Sequence, residues 1–374
     1  MSSDTKNKRS SDGTKEAPRV PWRRLGEIIR DIELEKETKV PAIDTEDLSE
    51  LQSDLINMAA AKLNEHLEGT PGSLEEAKVA LSATLDMALT DSRGYISSKD
   101  ISGAMKAGPF FLSEWEGINL SSLAEDLKAR GIDGLLETVA EMRAQFACPK
   151  NPVDPSSDMP QQWEGTLNVV EYLCRFIQKP PFDLSNPSKA QLISVWKKVF
   201  LEMAHKDIQE LCDQELASSK RIMESLDATF GNFGTDGRIV DFQLLLDGLE
   251  LSNFEFEVCG LSEQEYKRQY LKNIRFHRSI MEQHFRSKRI RTKLYFMSFQ
   301  GWEGILSNLY TYEDIYASRK LRVIKFPTSV DELMAFLENN ELNVVKTIMD
   351  CIHEVSVKLK EGGSSGRVRR RREV

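Results

Sequence analysis

The chain has 374 residues, 40% hydrophobic and 29% charged, with a formal net charge of −9. That balance excludes a fibre or a wholly disordered chain, and 17 Phe can fill a core, expected in two lobes. No run of about 18 apolar residues occurs and the first 30 residues are polar and basic, so neither a membrane span nor a secretory leader is expected.

Residues 1–40 read as a flexible basic arm. From about residue 45 Leu48, Leu51, Leu55, Ile56, Met58, Ala59 and Leu63 recur near helical period. Gly69-Thr70-Pro71-Gly72 stops that helix, and Ser73 with Glu76 reads as a capping box for the next. Further helices are expected at 97–107, 120–130 and 132–147. Residues 149–162 hold four prolines and mark a linker between an N-terminal helical lobe, 41–148, and a C-terminal one, 163–360. Beyond it, helices are expected at 164–178, 188–217, 239–249, 261–295, 302–316, 329–338 and 340–360, with a glycine-rich loop at 231–237. Only 319–325 alternates as a strand, and one strand cannot make a sheet. The expected fold is mostly α and two-lobed, with disordered basic termini that include an Arg-rich tail at 361–374.

Trp-Glu-Gly occurs three times, at 115–117, 163–165 and 302–304, and reads as a recurring way to start a helix. A degenerate internal duplication is the other reading. Signatures of chemistry are scarce. Cys148, Cys174, Cys212, Cys259 and Cys351 form no C-x-x-C pair, which leaves no zinc set and suits a reducing compartment. The glycines of 231–237 lack the Lys-Ser/Thr of a phosphate loop. His277 and His284 share a helical face with Tyr270, Ile274 and Met281, as packed core histidines would. No catalytic residue, metal or cofactor is expected.

Charge is the informative feature. Residues 267–293 carry ten basic groups against one acid, Glu282, while both chain ends are basic and the remainder is strongly acidic. Arg268, Lys272, Arg275, Arg278, Arg286, Arg289 and Lys293 fall within one sector of a helix. Three readings stay open for this stripe: a solvated face, pairing with the acidic remainder, or tracking of nucleic-acid phosphates, which the arginine fork suits. On the last reading Phe276, Phe285 and Tyr295 stack bases, although core is the commoner fate of Phe.

The segment Trp115-Glu-Gly117-Ile-Asn119-Leu-Ser-Ser-Leu123-Ala-Glu-Asp-Leu127-Lys128-Ala-Arg-Gly131 resembles a stretch in the nucleoproteins of phlebovirus-like negative-strand RNA viruses. There an aromatic-x-Gly-x-Asp element begins a helix ending in Leu-Lys and a nearby glycine. The likeness covers 17 residues and departs at Asn119, where the family has an acid. It implies an all-helical, two-lobed nucleocapsid protein with RNA in a basic cleft and an arm reaching the next protomer. The expected function is therefore non-catalytic coating of single-stranded RNA, with self-association through terminal arms, in the host cytoplasm and virion. The Arg-rich tail also suits nuclear import. The rivals are a helical scaffold docking an acidic protein through its basic helix, and an enzyme. A deep pocket of convergent carboxylates away from residues 266–295 would favour the enzyme.

Overall fold

The computed structural model describes residues 48–88, 94–112, 118–147, 159–215, 217, 220 and 239–368. The N-terminal arm to residue 47, the first Trp-Glu-Gly, most of the proline-rich stretch, the glycine-rich loop and the arginines beyond 368 lie outside them.

The chain opens with helix α1 (Glu50–Leu67), whose N-cap Ser49 exchanges hydrogen bonds with Gln52. Helix α2 (Ser73–Leu81) follows, but its cap is Gly72 at φ 84°, and Ser73 donates to the carbonyl of Thr70 instead of capping. A short strand β1 (Thr84–Asp86) leads to α3 (Ser98–Ala107) and α4 (Leu120–Ala147), which breaks at Gly131, φ 69°. Then come α5 (Met159–Gln178) and α6 (Lys189–Met203).

The C-terminal half departs from the expected all-helical reading. After α6 the chain forms β2 (Gln209–Glu215), β3 (Ile239–Leu246), β4 (Leu249–Glu257), helix α7 (Glu263–Lys288), then β5 (Leu294–Gln300), β6 (Glu303–Tyr312) and β7 (Ile315–Lys325). Helices α8 (Val330–Glu338) and α9 (Glu341–Val368) close it. The helix expected at 188–217 is α6 followed by a strand. Those expected at 239–249 and 302–316 are β3 and the β6–β7 hairpin, and 319–325 is only the second half of β7. The mostly α, all-α assignment is thereby corrected to an α/β fold. The physical reason lies in the turns. Asp247 and Gly248 take φ 49° and 74°, the pair of left-handed residues that folds a two-residue hairpin. Gly301, φ 58°, turns β5 into β6.

Seven strands make one mixed sheet in the order β1-β7-β6-β5-β4-β3-β2. The β4–β5 and β1–β7 pairs are parallel and the rest antiparallel. Parallel strands need a crossover, and α7 supplies it between β4 and β5. Alternate residues point to opposite faces. Phe254 meets Phe200 of α6 at 4.6 Å and Phe299 meets Trp196 at 4.8 Å. Asn253 and Phe296 point the other way, to Asn273 (2.9 Å) and His277 (4.2 Å) of α7. One apolar cluster joins Leu127 and Leu135, before the expected linker, to Leu167, Val170 and the sheet after it. A second, under α1, seats Leu55, Ile56, Leu63 and Leu85 against Tyr310, Ile315 and Ala317.

Neither described Trp-Glu-Gly starts a helix. Trp163 lies within α5, and Trp302 lies in the β5–β6 turn, where its indole donates to the carbonyl of Leu184 at 3.1 Å. What the two share is a glycine under compression. A Cβ on Gly165 would overlap the Glu202 carbonyl oxygen of α6, and one on Gly304 would overlap the Phe299 ring. Gly165→Ala should therefore destabilise the protein by roughly 1–3 kcal/mol through separation of α5 from α6. Urea unfolding measures this, and an unchanged midpoint would show that the helices can part freely.

Candidate functional site

The seven cations proposed to track phosphate do not share one open surface. Helix α7 is wedged between the sheet and α2, and carboxylates meet it on both sides. Arg275 is paired with Glu75, which lies on α2 together with Glu76, the partner of Lys267. Lys272 stands 3.8 Å from Glu255 of β4 and 5.1 Å from the Phe276 ring centre. Arg278 lies 5.4 Å from the Tyr316 ring; burial lowers its pKa, which Tyr316 and Glu282 partly offset. Arg286 donates to Glu282 at 2.6 Å but is otherwise exposed. Lys293 donates to the carbonyl of Pro109 and sits over the Tyr295 ring. Arg268 is exposed, as is Arg289, the left-handed C-cap of α7. Of the three stacking candidates, Phe276 and Tyr295 are core residues, and Phe285 is half-buried between Arg289 and Arg291. His277 and His284 are fully buried. Their rings bond Asn273 and Asn253, and Thr292 and Glu250, and burial pushes them down to about 3 and about 4.

A different group converges at the open end of the β3–β4 hairpin, opposite its Asp247-Gly248 turn. The register pairs Phe242 with Phe254, so the next step sets Asp241 across from Glu255. Glu257, two residues on, shares that face. Asp241 accepts from the backbone N–H of Phe256 at 2.7 Å, which fixes its carboxylate against β4. Lys189, the first residue of α6, reaches Asp241 at 2.9 Å and Glu257 at 3.9 Å. Lys272 approaches Glu255 from α7. Ser188 caps α6 and forms a capping box with Gln191, which holds Lys189 at this position. Beneath lie two buried amides. Asn253 sits 3.5 Å from Glu255, and Gln269 donates to the carbonyl of Phe256 at 3.4 Å.

Only 8% of Asp241 and 2% of Glu255 remains accessible, so two like charges stand in a poorly solvated place. Burial, and then the Asp241 charge, push the Glu255 carboxyl up to about 8, against the pull of Lys272, Lys189 and Asn253. Burial acts to lower the Lys189 ammonium, but the bond and charge of Asp241, then Glu257 and Glu255, outweigh it and leave its pKa raised. Near neutral pH Glu255 therefore keeps its proton, with Lys189 and Lys272 as the cations beside the pair. Among the described residues no group of three or more His, Cys, Asp or Glu side chains is placed to hold a metal ion. Two carboxylates with solvent and a substrate phosphate still make the kind of oxygen shell that Mg²⁺ accepts.

The class defined by this geometry is an α/β protein with a lysine-braced carboxylate pair on a central hairpin. No protein-family model, curated protein or solved structure matches the chain. Sequence reading missed the site because Asp241 and Glu255 meet only through strand register. The available signal was Asp247-Gly248 between two apolar runs, which predicts a hairpin and thereby the pairing.

The raised Glu255 pKa has a stability consequence. The unfolded carboxyl ionises near 4.5 while the folded one keeps its proton to about 8. The stabilisation is complete below the unfolded value and is lost as pH rises through the folded one. Glu255→Gln cannot ionise. Its melting temperature should exceed the wild type's by a margin that grows from about pH 5 to about pH 8 and shrinks to nothing near pH 4. A pH-independent difference would show that Glu255 keeps an ordinary pKa.

Proposed function

We propose that the protein hydrolyses phosphodiester bonds in nucleic acid with the aid of a divalent cation. The observation that carries this reading is the buried pair Asp241–Glu255 held between Lys189 and Lys272. A buried carboxyl with a raised pKa beside a second carboxylate is costly to the fold and typical of sites tuned for chemistry. A divalent ion can replace both the proton and the lysine counter-charge, with Asp241 and Glu255 as its protein ligands. Held there, the ion would supply Lewis-acid polarisation of a phosphoryl oxygen and a water of lowered pKa. The two ammonium groups then stand ready for the charge that develops on the phosphoryl oxygens. Glycoside hydrolysis also uses paired carboxylates, but two lysines neutralising the pair suit an anionic substrate better.

The ion must expel the proton from Glu255, so metal affinity and cleavage should both rise with pH towards about 8. The test is incubation of labelled single- and double-stranded DNA and RNA with Mg²⁺ or Mn²⁺. Cleavage that needs the metal and falls at least about a hundredfold in Asp241→Asn and in Glu255→Gln is expected. Absence of metal-dependent cleavage on every substrate, or full activity in both variants, overturns the reading.

A second reading is non-catalytic coating of single-stranded RNA with self-association through the terminal arms. The exposure of Arg268, Arg286 and Arg289 favours it. Its outcome in the same assay is binding without cleavage, together with rings or filaments.

A further inference from the structure

The geometry points to a binding track for a single nucleic-acid strand along helix α6, separate from the basic stripe of α7 and leading into the Asp241–Glu255 pair. This inference rests on the hydrolase reading and adds where the polymer lies and in which form it is bound.

Beside α6 runs an open groove of about 740 Å³, lined by Tyr172 of α5, Lys189, Lys197, Lys198 and Leu201 of α6, and Cys212 of β2. Each of its lysines is met by a carboxylate, Lys189 by Asp241, Lys197 by Glu210 and Lys198 by Glu202. Lys189 belongs to the groove and to the carboxylate site alike. Eight residues separate it from Lys197, about 12 Å along a helix. A strand lying over these ammonium groups therefore delivers a phosphate to the hairpin without a turn in its path.

Accessibility distinguishes these lysines from Arg275 of α7, although Arg268, Arg286 and Arg289 at other points of that helix are exposed as well. The Arg275–Glu75 pair has side chains only 15% and 9% accessible, so its guanidinium is committed to the fold. Lys197 and Glu210, 2.6 Å apart, are each 32% accessible, and Lys198, paired with Glu202, is 51% accessible. Exposed pairs of this kind contribute little to stability, so a phosphate oxygen can take the place of the carboxylate. Burial is the only influence on Tyr172 and pushes its phenol up to about 12, so the hydroxyl stays a neutral donor at the groove wall. The ring is half-buried against Phe176, 6.1 Å between centres, which leaves an aromatic surface for a base. The Tyr172 ring can stack only an unpaired base, which favours a single strand over a duplex.

The test uses the full-length protein with labelled single-stranded DNA and RNA and their duplexes, by fluorescence anisotropy with EDTA present so that cleavage plays no part. K197E/K198E should weaken single-strand affinity at least about tenfold, and K197A/K198A less strongly. The slope of log affinity against log salt in the alanine variant should be shallower by about 1.4, at about 0.7 per phosphate neutralised. The melting curve of the alanine variant should match the wild type, and single strands should bind more tightly than duplexes. Wild-type affinity in both lysine variants, or preferred binding of duplexes, overturns the track. Cleavage is scored apart. Metal-dependent cleavage that survives in K197A/K198A with unchanged KM would sink the track alone. Loss of binding in the lysine variants by a protein that never cleaves would sink the hydrolase reading alone.

Discussion

A helix as cationic as α7 can be inserted between a sheet and another helix only if its charges are met there. Moving an ammonium or guanidinium out of water costs several kcal/mol unless an anion replaces the lost hydration. Glu75 and Glu76 of α2, Glu255 of β4 and Glu282 of α7 itself supply those anions. This matching fixes where α2 can sit. With α2 in place, β1 is brought alongside β7 and the N-terminal apolar cluster is closed over the sheet. The segregation of acid and base along the chain, so prominent in the sequence, is in large part the adhesive between distant segments of one molecule.

The same matching defines the candidate centre. Glu255 is the point where the adhesive meets the hairpin: Lys272 braces it from one side, and Asp241 opposes it from across the strand pair. A carboxyl kept protonated near neutral pH by burial and a neighbouring anion is a costly arrangement for structure alone, since an apolar pair would pack there at lower cost. The lysine at the head of α6 connects this centre to the groove, so the stability of the hairpin and access to its carboxylates depend on one side chain.

What the sequence disclosed follows from the physics of each element. The starts of the helices expected from 188 and 261 were legible, where Ser188 and Ser262 cap α6 and α7, but the capping box read at Ser73 does not form. The central strands were not. β3, IVDFQLLL, and β5, LYFMSFQ, are covered on both faces, so alternation vanishes and a short apolar run reads equally as buried helix. The charged stripe was legible as a stripe, but its partners were hidden because Arg275 and Glu75 lie 200 residues apart. The centre at Asp241 and Glu255 required strand register, which residue types alone do not give.

Strand β1 lies at one edge of the described sheet, and its only neighbour among the described residues is β7, more than two hundred residues further along the chain. During synthesis, α1, α2 and β1 leave the ribosome long before the residues that cover Leu55, Ile56 and Leu85 exist. Closing so long a loop is entropically slow, so docking of this segment is the natural last event of folding. The nascent chain therefore holds an uncovered apolar surface until the β6–β7 hairpin has been made.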